Sequence, residues 1–234
     1  IMAISGTVLP LSFMQLLKTE IIIHNSVSID GSLTGFMPDM GLHYKIAGEY
    51  KPDAHLIGAD TVITGNEIFG QGIPEEIPSD FERPQRPENL PYWIIVDSRG
   101  RLKGSLHTCR RFEYCRDVIV LVSGKTPDNY LDHLRERNYR FIKTGNDKVD
   151  LISALEKLRT EAGITKILTD TGRILGNILI DLGIVSEISL LIHPLVVGEK
   201  SYNMFGNLKE NKSFSLNKSE QFDNGCIWAI YKPS

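Results

Sequence analysis

Lys166-Ile-Leu-Thr169, Asp170-Thr-Gly172, Arg173-Ile-Leu-Gly-Asn-Ile-Leu-Ile-Asp-Leu182, Gly183-Ile-Val-Ser186 and Glu187-Ile-Ser-Leu-Leu-Ile-His193 follow one another without a break. The first piece is a short apolar run, as a buried strand requires. In the third, Ile174, Leu175, Ile178, Leu179 and Leu182 recur at helical spacing, and Gly183 stands where a left-handed C-terminal cap is expected. The fifth is again a strand. Two such strands joined by one helix make a βαβ unit, whose crossover needs a parallel sheet.

The same alternation extends along the chain. Ile21–Val27, His55–Ala59, Trp93–Asp97, Val118–Ser123, Arg140–Lys143 and Cys226–Lys232 read as further strands, several apolar on both faces. Asp128–Arg137 and Lys148–Ala162 read as helices, the second closed by Gly163. The expected fold class is therefore α/β, a central, mostly parallel sheet flanked by helices. One domain is expected over residues 14–234, with residues 1–13 as a tail or extension. The segment from Gly70 to Pro91, rich in proline, is the one long irregular stretch, and a loop of that length is usually functional or disordered.

Bulk properties prune the possible functions. A formal net charge of -3 and a pI of about 6.1 leave no broad basic footprint for nucleic acid. The apolar N-terminal run is too short to span a bilayer and has no basic region before it, so no membrane partner is expected. Cys109, Cys115 and Cys226 are too few and too irregularly spaced for a disulfide framework or a structural zinc site, so a cytoplasmic location and no metal are expected. No GxGxxG follows the first strand, and GxxxxGK[ST], GxSxG, HExxH and the zinc deaminase signature are all missing.

Four segments at strand ends carry what chemistry remains, the place where open α/β sheets bind ligands. Asn25-Ser-Val-Ser28-Ile-Asp30-Gly31 runs a strand into a turn. Gly58-Ala-Asp-Thr61 leaves a strand through a small residue and a hydroxyl. Val96-Asp97-Ser98-Arg99-Gly-Arg101 ends a strand with guanidinium groups that could grip a phosphate in bidentate fashion. Asp170-Thr-Gly172 opens a helix whose free backbone N–H groups and positive dipole end make an anion site. Singly, each is equally a turn or a helix cap.

In this order and spacing the four segments resemble the reductase domain of the riboflavin-pathway family. That family shows S-x-D-G, then G-x-x-T-V, then V-D-S, then E-G-G-x-x-L before a helix ending G-L-V-D-E. Here the last elements read Asp170-Thr-Gly-Arg-Ile-Leu175 and Leu182-Gly-Ile-Val-Ser-Glu187, followed by Pro194-Leu-Val-Val-Gly198. The resemblance implies a dihydrofolate-reductase-like sheet of about eight to nine strands, NADPH as cofactor, a phosphorylated pyrimidine as substrate and a homodimer. It implies that Ser28, Thr61, Ser98 and Arg99 contact NADPH, and that Gly172, Arg173, Ile174 and Leu175 hold its diphosphate. Asn25, Asp30 and Asp170 are expected at the substrate, with Asp170 in the catalytic role, steadying iminium charge or relaying a proton. The reaction implied reduces a ribosylamino chain to a ribitylamino chain by hydride transfer to C1′, in the form not fused to a deaminase.

Three positions depart from the pattern. Gly65 stands where the family has an aspartate near the cofactor, Thr171 replaces the first glycine of the Gly-Gly pair, and Glu49 replaces an arginine that helps hold the substrate phosphate. Arg83 and Arg86, in a loop read as a substrate-side lid, are expected to supply the missing positive charge. These departures leave room for a reductase of another small heterocycle, or for a non-catalytic relative that kept the fold.

Overall fold

Strand β1 (Glu20–Ser28) alternates Ile21, Ile23 and Val27 toward one face with Ile22, His24, Ser26 and Ser28 toward the other, and is buried along nearly its whole length. A strand buried on both sides must lie mid-sheet between two helical layers. The computed structural model describes residues 19–69 and 72–234, so the expected tail over residues 1–13 lies outside the described residues.

After β1 come α1 (Met40–Glu49), β2 (Ala54–Gly58), α2 (Ala59–Phe69), β3 (Tyr92–Val96), α3 (Leu106–Arg111), β4 (Val118–Val122), α4 (Asp128–Glu136) and β5 (Arg140–Lys143). They are followed by α5 (Leu151–Ala162), β6 (Lys166–Thr169), α6 (Arg173–Asp181), β7 (Glu187–His193), β8 (Phe214–Gln221) and β9 (Ile227–Pro233). The nine strands form one sheet in the order β5-β4-β3-β2-β6-β1-β7-β9-β8. Every pairing from β5 across to β7 is parallel, and the final hairpin adds β9 and β8 antiparallel.

Strand order fixes which helices cover which face. The chain steps outward from β1 through β2, β3 and β4 to β5, then returns to β6 and β7, so right-handed crossovers put the outgoing and returning helices on opposite faces. Leu151, Leu155 and Leu158 of α5 and Leu179 and Ile180 of α6 accordingly pack with Ile21, Ile23, Leu56 and Ile94. On the other face Val62 of α2, Leu106 of α3 and Leu131 and Leu134 of α4 pack with Ile57, Ile95, Val118 and Val120. There α1 covers β7 and β9 through Ile46 against Leu191 and Trp228.

Helix ends agree with the sequence where caps were legible. Gly163 (φ 66) and Gly183 (φ 68) are both left-handed. The helix expected from Lys148 begins at Leu151, because the Asp150 carboxylate accepts from the Ser153 N–H at 3.2 Å and so caps it. Strand β8 lay outside the expected set. It is an edge strand exposed almost throughout, so its sequence, FSLNKSEQ, carries no apolar alternation.

Candidate active site

All parallel strands point their C-terminal ends to one rim, and the winding reverses around β1, β2 and β6. Such a switch point opens a crevice at that rim. At the end of β1, the Ser28 hydroxyl donates to Asp30 Oδ1 at 2.6 Å and accepts from the Ser32 N–H at 2.9 Å. Asp30 also accepts from the N–H groups of Val197 (3.1 Å) and Gly198 (3.0 Å). These bonds, that from Ser28 foremost, hold its carboxyl well below the usual carboxylate range. Asp30 thus ties the β1 exit to the loop after β7. Its partner Gly31 is required there, since φ is +76 and a β-carbon would come within 2.8 Å of the Asn203 amide.

The end of β6 lies beside the end of β2. Thr169 Oγ1 donates to the Leu56 carbonyl at 2.6 Å, and a β-carbon on Gly58 would stand 3.7 Å from Thr171 Oγ1. Both α2 and α6 therefore begin at this junction and turn their N-terminal N–H groups toward the rim. Thr61 lies half-buried in the first turn of α2. Gly172 is the N-cap of α6 in extended conformation (φ -64, ψ 172), no side chain caps the helix, and nothing lies within 4 Å of where its β-carbon would be. Of the three residues expected beside it, Arg173 places its guanidinium 3.9 Å over the Tyr202 ring, Ile174 is exposed and Leu175 enters the core. What they offer a ligand is backbone N–H. Asn177, one turn on, is buried with no partner for either amide atom, and the Asn25 amide nitrogen is likewise buried and unpartnered.

On the α1 side a polar network backs Asp170. His43 Nε2 lies 4.0 Å from Asp170 Oδ2, and His43 Nδ1 lies 3.1 Å from Ser26 Oγ. His24 stacks on His43 at 4.5 Å between centroids, with Nε2 3.2 Å from the His43 carbonyl and Nδ1 2.9 Å from Ser189 Oγ. A carbonyl only accepts, so His24 Nε2 carries the proton, and Nδ1 accepts from Ser189, whose oxygen in turn accepts from Trp228 Nε1 at 2.8 Å. Burial, aided by His43, pushes His24 down to about 3. Burial also lowers His43, opposed by the Asp170 charge. No sequence motif marks His43. A faint signal exists in the polar alternation of His24, Ser26 and Ser28 inside an otherwise apolar strand.

At the end of β3, Asp97 accepts from the N–H groups of Arg101 (3.1 Å) and Leu102 (3.0 Å). Ser98 Oγ accepts from the Val149 N–H at 3.2 Å. Arg101, partly exposed, pairs at 2.7 Å with the largely exposed Asp60 in the first turn of α2, while Arg99 extends into solvent. Ser28, Thr61, Ser98, Arg99 and Asp170 to Leu175 therefore all lie on one rim, on β1, α2, β3 and the β6–α6 junction.

Comparison with known proteins gives this rim a family. Residues 19–228 match the family described as the RibD C-terminal domain. The chain belongs to that family. It is 26% identical over 149 residues to the 2,5-diamino-6-ribosylamino-4(3H)-pyrimidinone 5′-phosphate reductase of Methanothermobacter thermautotrophicus, a match spanning 62% of this chain and 61% of that protein. Among solved structures, a pyrimidine reductase-like protein from Corynebacterium diphtheriae superposes with a TM-score of 0.71 at 20% identity, covering 97% of this chain and 96% of the other. The riboflavin biosynthesis reductase of Saccharomyces cerevisiae gives 0.65 at 18% identity, covering 97% and 99%. The dihydrofolate-reductase-like sheet expected from the motifs is the fold observed.

Two expectations about the RibD-like site change. Glu49 ends α1, which runs away from the C-terminal rim toward the start of β2, so its charge lies at the opposite end of the sheet from Asp170. Arg83 and Arg86 also lie at that far end, lining a cavity with Tyr92, Asp117 and Arg140 at the starts of β3, β4 and β5. Nor is their loop a lid over the rim. It is fastened to the α3–α4 layer by Asp80 to Arg111, by the Asp80 carbonyl to Arg110 (2.8 Å) and by Glu76 to Arg137 (2.7 Å). Gly65, the third departure, sits in α2 with open space around it. Among the described residues no three His, Cys, Asp or Glu side chains are placed to hold a metal ion, and no helix is long and apolar enough to cross a membrane.

Proposed function

We propose that this chain is an NADPH-dependent pyrimidine reductase that reduces the ribosylamino chain of a pyrimidine 5′-phosphate to a ribitylamino chain, working as a homodimer. The observation that carries the reading is the uncapped, open N-terminus of α6 at Gly172, next to the N-terminus of α2 and within the same rim as Ser98 and Arg99. Two helix N-termini with free N–H groups suit a diphosphate, and an exposed guanidinium beside a serine hydroxyl suits a 2′-phosphate. The orphaned amides of Asn25 and Asn177 are the kind of buried polar atoms that a bound ligand or water satisfies.

NADPH, when bound, supplies the hydride delivered to C1′ of the open-chain imine. The chain's own work is then positioning and charge. Backbone N–H groups at Gly172 to Leu175 and donors at Thr61 and Ser98 fix the cofactor, and the Asp170 carboxylate faces the cationic carbon. His43 and its buried partners flank that carboxylate on the α1 side. Single-turnover loss of nicotinamide absorbance, measured with the deaminated and the non-deaminated ribosylaminopyrimidine phosphate in turn, tests the reading. Oxidation with either substrate supports it, and NADPH binding without oxidation of either would overturn the substrate assignment.

A further inference from the structure

We propose that the N-terminal rim of the sheet carries a second ligand site, separate from the reductase crevice, for a small phosphate-bearing anion. A cavity of about 550 Å³ opens there, lined by Arg83, Arg86, Arg116 and Arg140 with Tyr92 and Asp117. That volume suits a small metabolite. Four guanidinium groups face one carboxylate, in a protein whose formal net charge is -3. The carboxylate is already engaged, since Asp117 Oδ1 accepts from Arg110 Nε at 2.9 Å and from the Val118 N–H at 2.8 Å.

The arginines are held chiefly by neutral groups. Arg83 Nε donates to the Asn138 carbonyl at 3.3 Å, Arg86 Nη1 to the carbonyls of Phe112 and Cys115, Arg116 Nη1 to that of Glu88 at 3.1 Å and Arg140 Nη2 to that of Glu161 at 3.2 Å. A carbonyl fixes a guanidinium in space without cancelling its charge. Each arginine has five N–H donors, so several on every side chain stay available. Carboxylates near the set are peripheral. Glu88 is 3.7 Å from Arg116 and Glu161 is 3.6 Å from Arg140, and both are largely exposed. Among the described residues, Arg83 and Arg86 reach only backbone carbonyls.

Converging, pre-oriented guanidinium forks in excess of the carboxylates around them, with Arg83 and Arg86 paired to none, select phosphate, which they bind in bidentate fashion. Pro84 and Pro87, in the same wall, limit the freedom of the loop that carries Arg83 and Arg86. Tyr92, beneath the Arg116 guanidinium at 4.8 Å, adds a flat apolar surface for the body of the ligand. Tyr92 and Arg140 open strands whose other ends form the reductase rim, which puts the two sites about 15 Å apart along the strands.

Titration calorimetry of the full chain at low ionic strength, with inorganic pyrophosphate as probe, tests the proposal. Binding is expected in Gly172→Val, whose rim can no longer seat a diphosphate, and should be at least tenfold weaker when Arg83→Gln or Arg116→Gln is added to that variant. Arg83 is exposed and bound through one carbonyl, so its replacement leaves the fold intact, as an unchanged melting temperature will confirm. Three outcomes overturn the site: no binding to Gly172→Val, equal binding when Arg83→Gln or Arg116→Gln is added to it, or sulfate binding as tightly as pyrophosphate.

Discussion

His43 on α1 and Asp170 at the end of β6 face each other with Nε2 and Oδ2 4.0 Å apart, the imidazole buried and the carboxylate about one-third exposed. The two elements are far apart in sequence and meet because β6 is inserted between β1 and β2. When the Ser26 hydroxyl donates to Nδ1, the neutral ring turns Nε2–H toward the carboxylate. One side of the Asp170 carboxylate is thus flanked by the buried imidazole, and under the proposed reaction its partly exposed side would face the substrate.

Asp170→Asn should therefore lower kcat by about 100-fold, the ordinary contribution of one positioned charged or acid–base group, and leave the NADPH dissociation constant within about twofold. His43→Asn should act less strongly, about tenfold on kcat, and should also move the acid limb of the pH–rate profile. Steady-state kinetics across pH 5 to 8 provides the measurement. An Asp170→Asn enzyme with wild-type kcat would remove the carboxylate from the chemistry.

Stability should fall as the medium turns acidic, for a reason visible in the same network. His24, fully buried, is pushed down to about 3, and His43, His55 and His133 are lowered by burial as well. Below about pH 6.5 the unfolded chain takes up protons that the folded chain refuses, so unfolding is favoured as pH drops through that window. His24 alone removes about 2 kcal/mol between pH 6.5 and pH 5. Thermal melts should fall steadily over this range, and His24→Gln, though less stable at neutral pH, should show a shallower slope. An equal slope in that variant would mean that other groups carry the pH dependence.

Much of this was legible in the sequence because the physics was local. The βαβ unit from Lys166 to His193 needs only apolar periodicity and a capping glycine, and the segments ending in Ser28, Thr61, Ser98 and Gly172 are strand exits that any parallel sheet gathers on one rim. What sequence could not give was long-range geometry. Arg83 and Arg86 were expected to supply at the substrate the positive charge that Glu49 does not, yet whether a loop residue lies at the top or the bottom of a strand depends on where the chain re-enters the sheet. His43 was missed for a related reason, since its role comes from a contact with Asp170, more than half the chain away. Asp30 looked like a substrate ligand, and the structure gives its carboxylate three protein donors.

Cofactor preference should depend on Arg99 more than on Arg101. Both guanidinium groups leave the same turn, but Arg101 is already paired with Asp60 at 2.7 Å, whereas Arg99 extends into solvent. Arg99→Ala should weaken NADPH by about tenfold while changing NADH little, since only NADPH carries the 2′-phosphate. Arg101→Ala should affect the two cofactors alike. Fluorescence titrations with both nucleotides decide the matter, and equal losses for NADPH and NADH in Arg99→Ala would take this arginine out of the phosphate site.

Gly172 permits the sharpest separation of ligand from scaffold. Its backbone, at φ -64 and ψ 172, is ordinary extended conformation open to any residue, and no protein atom lies within 4 Å of the position a β-carbon would take. Strain is therefore no obstacle to a side chain here, and the cost of Gly172→Val to folding is limited to a poorer N-cap, about 1 kcal/mol or a few degrees in Tm. A diphosphate seated on the N–H groups of α6 would occupy the same open space. Valine would then displace it, weakening NADPH by about 30-fold or more, equivalent to about 2 kcal/mol. Gly172→Ala, with a smaller group, should fall between the two. Melting temperature and NADPH dissociation constant, taken on one preparation of each variant, separate folding from binding. A Gly172→Val protein that melts near wild type and binds NADPH normally would show that the space beside Gly172 is not where the diphosphate lies.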